Sequence, residues 1–173
     1  MTLKYHVPSA LSQKVSQASV DFSCEIPNGK AIFFPISQSA CWLNNPEFKR
    51  VTNKLAPNPQ ADQELKTCAV SPQDNTNILY VRVDGKDLDT TKIPRATSSF
   101  FNLTVPSNHV TVVLDESVIG PPGISRGIAD GYSLFLASLP IGKHVIEFKV
   151  VDHLSGPTSE PITRQGKFTV FIK

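Results

Sequence analysis

The chain lacks the sequence marks of most familiar chemistries. It carries no Gly-x-Gly-x-x-Gly fingerprint and no Gly-rich phosphate loop ending in Gly-Lys-Ser/Thr, which removes the usual grounds for nucleotide chemistry. None of His6, His109, His144 and His153 has a second His or Cys within a few residues. Zinc-ligand spacing is therefore missing, and neither a metal nor a cofactor is expected. No run approaches the roughly 20 apolar residues that cross a bilayer as a helix. An excess of one charge is missing too: 17 Lys and Arg face 15 Asp and Glu, too even a balance to point to nucleic acid or an anionic membrane as partner.

Cysteine is sparse. Cys24, Cys41 and Cys68 permit one disulfide and a spare thiol, in any of three pairings. The opening "MTLKYHVPSALSQKVSQ" has no continuous apolar stretch and no cleavage site, so no signal peptide is expected there and residues 1–17 are expected to be loosely ordered. Tryptophan is limited to Trp42, beside Cys41, where packing against a disulfide and contact with a ligand are both open.

What the chain does have is alternation of period two from end to end. Val20, Phe22 and Cys24 fall on one face of a first strand, so Cys24 reads as a buried thiol ahead of a disulfide partner, and "IPNGK" supplies a turn. "AIFFPI" follows, apolar enough to suit a strand covered on both sides, with a bulge or a sheet edge expected at Pro35. In "ILYVRVDGKDL", Leu79, Val81 and Val83 face one way and Tyr80 and Arg82 the other, before the hairpin pair Asp84-Gly85. Further strands are expected around Phe101, Leu103 and Val105, around Val110, Val112 and Leu114, and around Tyr132, Leu134 and Leu136. The last two contain Ile146, Phe148 and Val150, then Phe168, Val170 and Ile172. "VVDHLSGP" reads as the turn between them, made by Asp152 and Gly156.

About eight short strands need a second sheet to bury their inner faces, so the expectation is an all-β, two-sheet antiparallel sandwich in a single domain over residues 1–173. Only residues 58–68 read as a short helix, with Asp62 as a possible cap before Leu65. Two regions interrupt the strands: an insertion over residues 41–77 and a Gly/Pro loop over residues 115–131. Long loops on a rigid scaffold commonly carry function.

"LPIGKHVIEF", with Leu139, Gly142 and His144, resembles the corner of immunoglobulin-like and fibronectin-type modules, in which a ring near the start of a late strand bonds back across the connection. The resemblance implies an architectural His144 rather than a catalytic one. A wider resemblance rests on "CEIPNGKAIFFPI", "ACW", "ELKTCA", "YVRVDGKDL", "SSFFNLTVP" and "IADGYSLFLASLPIGKHVIEF". These segments resemble a family of secreted bacterial and archaeal proteins of uncharacterised activity, with a Cys-x-Val-Pro-x-Gly-Lys-Ala pattern and later Asp-Gly-Tyr and Pro-Gly-x-His-x-Ile. The resemblance implies an exported sandwich domain, secreted or held in the periplasm or envelope. It also favours a bridge between Cys41 and Cys68, which would stabilise the insertion by about 3–4 kcal/mol.

The functional expectation is a non-catalytic module that binds a protein or glycan through loops at one end. Arg126, Asp130 and Tyr132 are its candidate contacts, with Trp42 and His109 as further ones. One alternative is a hydrolase using Asp115, Glu116 or Asp130 with a His such as His109. A second is a structural subunit that pairs its edge strands with copies of itself. "DGKDLD" at residues 84–89 is expected to be a solvated hairpin rather than a cation site.

Overall fold

The computed structural model describes residues 17–43, 55–105, 123–153 and 160–173. In chain order its elements are β1 (Gln17–Ile26), β2 (Ile32–Trp42), α1 (Pro59–Asp74), β3 (Asn77–Val83), β4 (Lys86–Asp87), a 3-10 turn (Thr90–Lys92), β5 (Arg95–Thr97), β6 (Phe101–Val105), β7 (Gly123–Leu136), β8 (Gly142–Asp152) and β9 (Ile162–Ile172). The strand expected at Val110, Val112 and Leu114 lies outside the described residues. Five strands form one sheet in the order β1-β9-β8-β3-β4; β2-β7-β5, with β6 on β7, form the other. The protein is thus an all-β, two-sheet sandwich with one helix.

Contacts group the chain into two compact units. The first comprises Met1–Ser37, Pro72–Arg95 and Tyr132–Lys173; the second comprises Gln38–Ser71 and Ala96–Gly131.

In the first unit, the inner face of the five-stranded sheet meets Ile32, Phe34 and Ile36 of β2 and Leu134 of β7 across a core that includes Val81, Ile146, Val150, Val170 and Ile172. Phe34 stands edge-on to Phe168 and Phe148, with ring centroids 4.6 and 5.8 Å away. Phe148 pairs across the strands with Gly166. A Cβ at that glycine would lie 2.4 Å from the Phe148 ring and 2.8 Å from the Phe168 ring. Gly166→Ala should therefore cost about 2–3 kcal/mol through overpacking, measurable as a lower denaturant midpoint. An unchanged midpoint would show that these rings do not close over the glycine.

The outer face of the same sheet is polar, and one row across all five strands alternates in sign. Register places Asp21 opposite Lys167, Lys167 opposite Glu147, Glu147 opposite Arg82 and Arg82 opposite Asp87. Opposite charges on facing residues favour this register and keep the face wetted.

Several expectations need correction. β1 pairs with β9 in parallel, because the Pro27–Lys30 turn, with Gly29 at φ +79°, leads β1 into the other sheet instead of back along itself. β2 is covered on one face only: Phe33 is 60% exposed between buried Ile32 and Phe34. β2 ends its sheet among the described strands, as Pro35 required. A register shift between Ile78 and Tyr80 breaks the alternation in β3, so Ile78 packs on the core and Leu79 is exposed. A bulged residue reverses the faces of its neighbours in this way.

The second unit is built on α1. Pro59 opens it, and the cap is Asn58, whose side chain accepts from the Gln60 and Ala61 N–H groups at 3.2 Å each. Asp62 does not cap it. The helix runs beyond Cys68 to Asp74 and buries Ala61, Leu65 and Ala69, spaced four apart, against Leu43 and Ile128. A Cys41–Cys68 disulfide joins β2 to α1 with Cα atoms 6.1 Å apart. The Gly/Pro loop expected over 115–131 is strand from Gly123 onward, with Gly123 to Gly127 paired to β6. Gly127 makes room for neighbours: a Cβ there would sit 3.1 Å from the Phe101 ring and 3.3 Å from the Trp42 Cβ.

Candidate binding cleft

Chemistry requires polar groups that the fold has not already used, so the clusters are best sorted by what satisfies them. Asp152, expected in a turn, is a buried strand residue, 1% exposed, at the end of β8. One carboxylate oxygen accepts from the Ser37 and Thr76 hydroxyls at 3.0 and 2.8 Å, and the other accepts from Arg164 Nε. Arg164 also donates to Ser37 Oγ at 2.9 Å. Both oxygens of the buried carboxylate are occupied by protein donors, and a carboxylate so held fixes a fold rather than reacts.

The acids of "DGKDLD" are likewise committed. Asp87 pairs with Arg82 at 2.6 Å, and Asp89 caps the 3-10 turn through the Thr91 N–H and hydroxyl. Asp84, at φ +52° in the hairpin, accepts the Val145 N–H at 2.8 Å and lies 2.7 Å from His144 Nδ1. His144 Nε2 lies 2.8 Å from the Pro140 carbonyl. Both ring nitrogens thus face acceptors, an arrangement that only the imidazolium satisfies fully. Leu139 packs on the core just before this connection, and Gly142, at φ +145°, starts β8 in a backbone conformation that suits glycine.

The hydrogen bonds to Asp84 and Pro140 raise the His144 pKa above its ordinary 6.5. For Asp84, partial burial pushes the carboxyl up, but the bonds from His144 and Val145 outweigh it and leave the pKa below 3.8. The pair's contribution is therefore complete between these ordinary values. It fades as pH falls through the lowered Asp84 pKa or rises through the raised His144 pKa. His144→Gln should flatten the wild-type fall in stability between about pH 6 and about pH 8, a difference of about 1 kcal/mol or less because Asp84 is largely solvated. Parallel melting curves for the two proteins across that range would refute an imidazolium at this corner.

In the second unit, Arg126 is no mobile loop contact. It lies in β7, its guanidinium 3.1 and 3.2 Å from the two oxygens of Asp62 and 4.2 Å from the Phe100 ring centre. Asp130 is buried and accepts from the Thr97 hydroxyl at 2.9 Å. Trp42 is half-buried beside Gly127. Residues 123–127 spell Gly-Ile-Ser-Arg-Gly, the spacing of a nucleophile elbow, yet they form paired strand rather than a strand-to-helix turn. Ser125 is fully buried and its hydroxyl meets no partner, and so no base, among the described residues. His109, Asp115 and Glu116 lie outside the described residues.

Tyr132 is different. In the first unit it lines a cleft of about 280 Å³ with Thr76, Asn77 and Ile78 from the start of β3 and Thr90, Thr91 and Ile93 from the 3-10 turn and its end. None of these residues carries a charge at neutral pH. The Arg95 guanidinium sits 5.7 Å from the Tyr132 ring centre and is paired with Asp74 at 2.7 Å. Among the described residues, the Asn77 amide, the Thr90 hydroxyl and the Tyr132 phenol have no hydrogen-bond partner. The cleft thus offers neutral donors and acceptors above an apolar floor of Ile78 and Ile93.

Of its residues, sequence reasoning picked out Tyr132 alone. "DLDTTKIP" carries a legible cue, an Asp cap before Thr-Thr and a closing Pro, but it announces a turn rather than a site. No family model, curated protein or solved structure matches this chain.

Proposed function

We propose that this protein is a non-catalytic binding module, immunoglobulin-like in type and exported to the cell surface or envelope, that engages its ligand in the cleft beside Tyr132. One observation carries the reading: the carboxylates of Asp152 and Asp84 are hydrogen-bonded to protein partners and that of Asp62 is ion-paired with Arg126, while the cleft groups are free to meet a ligand. A disulfide between Cys41 and Cys68 fits an oxidising compartment, and no described helix is long and apolar enough to cross a membrane. The proposed relationship to the secreted sandwich family rests on the motifs quoted above.

The test is recovery of the purified protein on cell-envelope material, wild type against Tyr132→Leu and Asn77→Ala. Both variants should lose most of the bound fraction, Asn77→Ala at unchanged melting temperature and Tyr132→Leu at a lower one because its ring also packs on the core. Recovery equal to wild type from both would remove the cleft from consideration.

A further inference from the structure

Given that the cleft is the binding site, we infer that its ligand is a neutral saccharide unit, one or two sugar rings presented by a larger glycan. Charge decides first. No lining residue is ionised, and the cations and anions beside the cleft are already matched, Arg95 with Asp74 and Lys92 with Asp89. A phosphate, sulfate or uronate would enter without a counter-charge, and an ammonium would fare no better. Donor chemistry decides next. Asn77 brings an amide that both donates and accepts, and Thr90 and Tyr132 bring hydroxyls that do the same. Such two-way groups suit the hydroxyl rim of a pyranose.

Shape agrees with charge and donor chemistry. A pyranose pairs its hydroxyl rim with a face of C–H groups, and the cleft pairs polar groups with the Tyr132 ring and the side chains of Ile78 and Ile93. About 280 Å³ is small beside the sites that take drug-sized ligands, so it holds a sugar unit rather than a folded partner.

Titration calorimetry of the whole protein against neutral oligosaccharides of glucose, mannose and N-acetylglucosamine tests this, with polygalacturonate and a heparin fragment as anionic counterparts. At least one neutral series should bind, with little change in affinity as salt is raised. Asn77→Ala and Thr90→Val, both surface changes, should each weaken it by about tenfold. Tighter binding of an anionic polymer that salt abolishes would overturn the inference, as would neutral binding indifferent to both variants. No saccharide binding, with envelope recovery still dependent on Asn77, would overturn the ligand class alone. Loss of both would overturn the cleft as well.

Discussion

Asp152→Ala should lower the unfolding free energy by about 3–5 kcal/mol, the cost of removing one partner from a buried ion pair. The carboxylate serves Ser37, Thr76 and Arg164 together, so its loss takes the counter-ion from Arg164 and the acceptor from Ser37, while Thr76 keeps the Pro72 carbonyl. Asp152→Asn keeps an acceptor for the hydroxyls and should cost less, because only the charge facing Arg164 is lost. Adding Arg164→Met to Asp152→Ala should recover part of the loss, since the guanidinium no longer lacks its counter-ion. Urea denaturation of the wild type, the two Asp152 variants, Arg164→Met and the double variant measures these differences and closes the cycle. A penalty below about 1 kcal/mol for Asp152→Ala would mean that the network contributes little to holding the first unit together.

The second large effect belongs to the disulfide. Cys41 and Cys68 are 27 residues apart, and opening that loop by a double alanine replacement should cost about 3–4 kcal/mol on the loop-entropy argument. The bridge fastens α1 to β2, and buried Leu43, Leu65 and Ala69 surround it, so strain on that cluster adds to the entropy term. Cys24 stands apart. It is free, half-buried on the inner face of β1, and burial pushes its thiol up in pKa, which lowers its thiolate fraction and its reactivity. Alkylation of the folded, unreduced protein should be slow, with one site modified after unfolding and three after reduction. Three reactive thiols without reductant, or an unchanged melting temperature in the double variant, would contradict this assignment.

The strands of the five-stranded sheet were legible because one of their faces is buried. Ile146, Phe148 and Val150, like Phe168, Val170 and Ile172, alternate without interruption, and Asp84-Gly85 declared its hairpin through the positive φ that both residues adopt. What misled lay where local composition and long-range packing disagree. Glycines 123 and 127 look like loop residues, yet both lie in β7 paired to β6, and Gly127 lets Phe101 and Trp42 approach. Asp152 next to His153 looks like a turn, yet its partners lie 115, 76 and 12 residues away. Period and composition carry no trace of such pairings. The cleft was hidden for the same reason, being made of three segments that only the fold unites.

Polar groups bound within the protein are separate from those the cleft leaves for a ligand. Backbone amide spectra of the labelled protein, recorded with and without the envelope glycan it retains, test that separation most directly. The prediction is that shifts gather at residues 76–78, 90–93 and 132, while the amides of residues 84, 144, 152 and 164 stay in place. Shifts centred on Asp62 and Arg126, or on the outer face at Lys167 and Glu147, would place the ligand elsewhere and contradict it.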